Sequence, residues 1–177
     1  MEAASQPRSD PFRYEYLDGA AHPKIGREYT HARVQLNVGV ALLNMANGRG
    51  ETGTEWRFYL SGPDEKRTDF VPDAAFVSSE RLAPLTYEQR EKPPFSPDIA
   101  VEVRSPSDDL AFLREKIDRY LRTGCVLVLD VVPARRIINA HAHDGVRTYS
   151  TGQMFRHDAA PWLEFPVDAA FEGIDRH

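Results

Sequence analysis

Two carboxylates and a guanidinium share one side of a short stretch, PDIAVEVR (residues 97–104). Read with a period of two, Ile99, Val101 and Val103 form one face, and Asp98, Ala100, Glu102 and Arg104 form the other. The first face is that of a strand packed on a core. Carboxylates on the second face have three explanations. They are solvated, they pair with basic residues, or they hold a hard cation such as Mg²⁺, which takes one or two carboxylates and keeps several waters. On the strand alone the first two are the commoner.

The next helix changes that balance. Leu110, Leu113, Ile117, Tyr120 and Leu121 recur with a 3.6 period, and Lys116 sits at the edge of this stripe beside Tyr120. A lysine there lays its methylenes on the core and extends its ammonium toward the end of the preceding strand. An ammonium beside metal-activated water, or beside the charge of a pentavalent phosphorane, is what metal-assisted phosphodiester hydrolysis demands. The plainer reading is a solvated lysine pairing with Glu115 or Asp118. A third element is Asp73 in VPDAAFV, 29 positions before Glu102, which leaves enough chain for a neighbouring strand to return. By itself Asp73 is equally a turn residue after Pro72.

The elements that must position these groups read as follows. FRYEYLDG (12–19) alternates aromatic with polar residues and runs into an Asp-Gly turn. Residues 25–47 are helical in pattern and apolar over much of the surface, which predicts a largely buried helix ending at Asn47-Gly48. TEWRFYLS (54–61) and DFVPDAAFV (69–77) read as strands, and the proline-rich stretch 83–97 as a surface loop. Strand 98–104, a helix capped by Ser107, Asp108 or Asp109 and closed by Gly124, and the apolar run CVLVLDVV (125–132) make a βαβ unit with parallel strands. A hairpin turning at Asp144-Gly145 and a final strand with one or two helical turns complete the chain. The expectation is an α/β (α+β) domain over 12–177 behind a loose tail of residues 1–11.

Composition narrows the function. A chain of 177 residues fits one substantial core, and a formal net charge of −5 argues against a uniformly basic nucleic-acid binder while leaving room for a local basic cleft. A single cysteine, Cys125, excludes an intramolecular disulfide. The N-terminus lacks the apolar stretch of a secretory signal, and no window approaches the roughly 18 apolar residues of a membrane span. These features point to the cytoplasm and away from a membrane.

Taken in order, YEYLDG, the helix carrying His31, PDAAFVSSERL, PDIAVEVRSPSD and LREKIDRYLRTG resemble the Uma-type family of restriction endonucleases, part of the PD-(D/E)xK nuclease superfamily. The resemblance implies a restriction-endonuclease-like core, a mixed sheet flanked by helices. It implies Mg²⁺ as cofactor with Mn²⁺ as a substitute, DNA as substrate, and a homodimer by analogy with nucleases that pair to cut two strands. Asp73 then matches the first metal-binding aspartate and Glu102 the acidic residue of the (D/E)xK motif. The lysine slot two positions later is Arg104, which is no equivalent point charge, so Lys116 is the expected substitute. His31, Asp98, Arg104 and Tyr120 are auxiliary candidates. Leu129 and Val132 stand where members often carry tryptophan and aspartate.

Two rivals remain. One is a non-catalytic member kept as a binding or assembly module, and the other a metal-dependent hydrolase of another phosphoester. His141 and His143 have zinc-compatible spacing, but beside an Asp-Gly turn they read as an exposed hairpin tip. Arg114, Arg119 and Arg122 read as a solvated helix flank before they read as phosphate contacts. No P-loop and no Gly-x-Ser-x-Gly elbow is present.

Overall fold

The computed structural model describes residues 14–24, 28–62 and 64–175. The expected tail of residues 1–11 lies outside the described residues. The chain runs β1 (Tyr14–Leu17), β2 (Ala20–Pro23), α1 (Tyr29–Ala46), β3 (Gly50–Thr54), β4 (Phe58–Tyr59), β5 (Asp69–Phe70), β6 (Ala74–Ser78), α2 (Ser79–Leu82), α3 (Tyr87–Glu91), β7 (Ile99–Val103), α4 (Leu110–Arg122), β8 (Leu127–Val132), β9 (Ile137–Ala142), β10 (Gly145–Ser150), β11 (Met154–Phe155), β12 (Phe165–Pro166) and α5 (Val167–Ala170). A six-stranded mixed sheet in the order β10-β9-β8-β7-β6-β3 forms the centre, and β2-β1-β5-β4 form a smaller sheet beside it. Only the β7–β8 pair in the large sheet is parallel, and α4 is its crossover.

Both faces of the large sheet are covered, which explains why β7 and β8 are buried at every position. On one face Ile99, Val101 and Val103 meet α1 and the C-terminal segment around Phe155, Leu163 and Phe171. On the other, Ala100 and Val128 meet Leu113, Ile117 and Tyr120 of α4, together with Phe58 and Phe70 of the small sheet. Burying each of these large side chains contributes roughly 1.5–3 kcal/mol. Glu102, the one polar residue of β7, therefore faces a covered layer and not open solvent, and it must find partners there.

Local chemistry sets the ends of the elements that matter. Asp109 caps α4, accepting from the N–H groups of Ala111 at 2.9 Å and Phe112 at 3.2 Å. Asn47, in the left-handed region at φ 40°, ends α1. Pro72 has no N–H to donate, so the predicted strand 69–77 breaks into β5 and β6 there. Glu55 at φ 54° likewise splits the predicted strand 54–61. The loop expected at 83–97 contains α3, nucleated by a capping box between Thr86 and Gln89. The helix expected to be largely buried is buried on one side only. His31, Val34, Val38 and Leu42 face inward, while Tyr29, Leu36, Val40 and Leu43 are exposed. A helix in an outer layer has a second face that the sheet cannot reach, however apolar its surface. Among the described residues no helix is long and apolar enough to cross a membrane.

Candidate active site

Glu102 projects from β7 into the layer between the sheet and α4. There Lys116 and Tyr120, one helical turn apart on α4, meet it. Lys116 Nζ lies 2.8 Å from Glu102 Oε2, and the Tyr120 hydroxyl donates to Oε1 at 3.1 Å. The same ammonium donates at 2.6 Å to Glu15 of β1. Glu15 Oε1 also accepts the Val71 N–H at 2.6 Å.

Asp73 lies at the entry to β6. Ala74 is paired with Val101, which brings Asp73 beside Glu102 on the neighbouring strand. Its N–H donates to Val101 O at 2.9 Å, and its Oδ2 accepts the Val103 N–H at 2.7 Å. His31 reaches Oδ2 from α1, with Nε2 at 3.2 Å. With Nε2 donating, Nδ1 is a buried acceptor without a partner among the described residues. Lys24, just past β2, points its ammonium at the other oxygen, 3.8 Å from Oδ1, while pairing with Glu55 at 2.8 Å.

The two carboxyls titrate in opposite directions. Burial pushes Glu102 up to about 8; the charges of Asp73 and Glu15 add to the push, and Lys116 and Lys24 offset only part of it. Burial pushes Asp73 up too, but there the His31 bond, Lys24 and the Val103 N–H win and hold it at about 2. Burial disfavours the Lys116 ammonium, yet its two carboxylate neighbours overcome that and raise its pKa. Burial raises the Tyr120 phenol well above its ordinary value, so it serves Glu102 as a donor and not as a base.

A cleft of about 220 Å³ opens onto this cluster, lined by Glu15, Lys24, Glu102 and Lys116 and roofed by His22 and Phe112. The His22 imidazole stacks on the Phe112 ring at 3.9 Å and 9°. The site stands at the carboxyl ends of the parallel pair, where α/β folds commonly hold ligands.

Of the residues singled out in the sequence, the fold gathers Asp73, Glu102, Lys116, His31 and Tyr120. It separates two others. Asp98 shares the Glu102 face but sits at the opposite end of β7, about 13 Å away at the usual strand rise. There it accepts the Ser78 N–H at 2.7 Å and pairs with Arg81 at 3.0 Å. Arg104 turns from Glu102 to Asp130, gripping both of its oxygens at 2.6 and 2.5 Å. His141 is not at an exposed tip; its Nε2 is buried 3.7 Å from Asp130. Arg119 is engaged too, holding both oxygens of Asp18 at 2.9 Å.

Sequence reasoning missed Glu15 and Lys24. Glu15 gave little signal: it falls in the polar phase of the alternation, and the structure buries that phase, at Glu15 and Leu17, instead of the aromatic one. Lys24 had none.

A family model described as "Putative restriction endonuclease", Uma2, matches residues 2–168. The chain belongs to the Uma2 family. A crystal structure described as a putative nuclease belonging to DUF820, from Anabaena variabilis, superposes with a TM-score of 0.76 at 16% identity, covering 89% of both chains. It shares the fold. No curated protein matches the chain.

Proposed function

We propose that the protein is a Mg²⁺-dependent endonuclease that hydrolyses phosphodiester bonds of DNA. The observation that carries this reading is the seat of Lys116. Its ammonium lies against Glu102 while Asp73 flanks that carboxylate on the adjacent strand. Glu102 and Lys116 line the cleft and Asp73 sits buried behind them, and acid, acid and lysine together are the set that phosphodiester hydrolysis needs. Family membership supports the same chemistry.

The residues suit a hard cation. Among the described residues no group of three or more His, Cys, Asp or Glu is placed to hold a metal ion, so a cation here would have at most two protein carboxylates and water would complete its shell. Two carboxylates with room for water and substrate suit Mg²⁺. The Lys24 ammonium already faces Asp73 and lowers Glu102 electrostatically, so a positive charge is accommodated at this point. Asp73 and Glu102 would hold the ion. Bound there, Mg²⁺ would act as a Lewis acid on the phosphodiester and its nucleophile. Lys116 holds a proton at Nζ and places positive charge where the attacked phosphoryl group gains negative charge. Glu15 and Tyr120 fix Lys116 and Glu102, and the stacked His22 and Phe112 form part of the cleft wall.

Lys24 also favours a second reading, a binding module whose acids are permanently neutralised by protein cations. Mn²⁺ calorimetry on wild type and Glu102→Ala separates the two. Cleavage of plasmid DNA, RNA and a small phosphodiester with Mg²⁺ or Mn²⁺ tests the substrate. Metal-dependent nicking of DNA that Glu102→Ala abolishes is the expected outcome. Absence of Mn²⁺ binding by wild type defeats the nuclease reading.

A further inference from the structure

Arg104 directly follows β7, one alternation beyond Glu102, and yet makes no use of Glu102. Its Nε and Nη2 grip the two oxygens of Asp130, a fully buried residue of β8 that stands opposite Glu102 in the parallel register. Asn139 donates to the same carboxylate at 3.0 Å. Burial would raise Asp130, but His141, Arg104 and Asn139 hold it at about 2, so the anchor stays ionised. The grip leaves Nη1 without a hydrogen-bond partner among the described residues, on a side chain that is 31% exposed.

A guanidinium fixed in this way has its conformational entropy removed before any ligand arrives. Its open edge is a planar donor pair that suits a phosphate. Its location suits one too. The neighbouring cleft of about 220 Å³ is smaller than the roughly 300–1,000 Å³ of sites that enclose a whole small ligand. It admits a phosphodiester group, and the rest of a polymer must pass over the rim. Val103 and Asp108 are among the residues that line the cleft, and Arg104 follows Val103 directly. Beyond Arg104 the same sheet face continues as a polar shelf of half-buried Asn139 and His141 and exposed Thr148, whose hydroxyl donates to Asn139 at 2.8 Å.

We propose that Arg104, clamped by Asp130, binds the phosphate adjacent to the scissile one on the same nucleic-acid strand. It thereby distinguishes a polynucleotide from a small phosphodiester. The word "scissile" rests on the nuclease reading above; the phosphate contact itself does not. Arg104 is a binding and positioning residue, distinct from Lys116.

The experiment measures binding of a fluorescent single-stranded oligonucleotide in EDTA over a range of salt, with Mn²⁺ calorimetry on the same proteins. The variants are Arg104→Gln, Asp130→Asn and the double Arg104→Gln/Asp130→Asn, which leaves no orphaned charge and so keeps the fold. Arg104→Gln and the double variant are expected to bind about tenfold more weakly. Their log–log salt slope should be shallower by about 0.7, the loss of one phosphate contact on a single strand. Asp130→Asn retains the guanidinium and should keep the wild-type slope. All three should bind Mn²⁺ as wild type does. If the oligonucleotide does not bind wild type, or the slope is unchanged in the double variant, the subsite is overturned and the nuclease reading stands on its metal site. If wild type fails to bind Mn²⁺ while the slope shift appears, the nuclease reading falls and the phosphate subsite survives.

Discussion

Lys116 and Glu15 stand 101 positions apart in the chain and 2.6 Å apart in the fold. Because the same ammonium lies 2.8 Å from Glu102, one buried cation serves two carboxylates. Glu15 keeps Lys116 charged and in place even when Glu102 turns to another cation. On the proposed mechanism, in which the ammonium acts on the transition state and does not ligate the ion, Lys116→Ala should abolish metal-dependent cleavage while Mn²⁺ binding persists. In EDTA it should also lose about 3–5 kcal/mol of stability, since two buried acids are left without their cation. Arg104→Ala should act through KM instead. Steady-state kinetics and thermal melts check both; activity lost in Arg104→Ala and kept in Lys116→Ala would reverse the assignment.

Glu102→Gln should leave the metal-free fold as stable as wild type or slightly more so. The amide still accepts from Tyr120, Lys116 retains Glu15, and a neutral amide replaces an acid that burial already pushes toward its neutral form. On the proposed metal site, Mn²⁺ should stabilise wild type and leave this variant unchanged. Melts with and without Mn²⁺ measure this. A steep loss in EDTA would mark Glu102 as a structural ion-pair partner.

The raised Glu102 pKa sets a pH dependence. Folded Glu102 titrates at about 8 against an ordinary 4.5, so the folded state binds its proton more tightly than the unfolded state. Its contribution to stability is thus present below pH 4.5 and is lost as pH rises through 8. Asp73, held at about 2 against 3.8, runs the other way: its contribution is present above 3.8 and is lost as pH falls through 2. A cation needs ionised Glu102, so Mn²⁺ affinity should rise about tenfold per pH unit from 6 to 8 and level off above, with proton release on binding. Calorimetry in two buffers of different ionisation enthalpy checks this; a flat profile from 6 to 8 contradicts it.

Lys24 competes with any cation for Asp73, which its ammonium approaches to 3.8 Å. Lys24→Met should tighten Mn²⁺ binding by about tenfold, one charge–charge contact at partial burial being worth roughly 1.4 kcal/mol in affinity. Weaker binding in that variant would show that Lys24 organises the site.

His31 fixes the Asp73 carboxylate through a 3.2 Å contact that is itself buried. His31→Ala should lower metal affinity by roughly 10–100-fold, the usual effect of removing a group that orients a ligand, with Lys116 undisturbed. His31→Gln, which keeps a donor, should recover part of the loss. Equal defects in the two variants would point to packing alone.

How much of this could be read from the sequence depended on the range of the forces involved. The β7-α4-β8 unit was legible because period two, period 3.6 and a continuous apolar run each report burial directly. Strand phase and helix wheel placed Glu102 and Lys116 on facing surfaces. Phase could not reveal which end of β7 mattered, so Asp98 was grouped with Glu102 although the strand's length separates them. Nor does an arginine declare which acid it will take: Arg104 chose Asp130 because that carboxylate is fully buried beside it and has to be neutralised. The breaks at Glu55 and Pro72 came from backbone angles that apolar patterning does not record. Helix α3 was hidden by the prolines around it, although Thr86 and Gln89 carried its cap.

The bonds around Glu102 bridge sequence separations of 14, 30, 42, 56 and 101 residues. Closing chain loops of that size costs entropy that local structure does not return, so these contacts form when the whole topology does. The amides of Val71 and Val103 each donate to a site carboxylate. They should exchange with solvent only through global opening, among the slowest in the molecule. The cleft is thus the last knot tied in folding, and protection at these two amides reports in a single measurement that it has been tied.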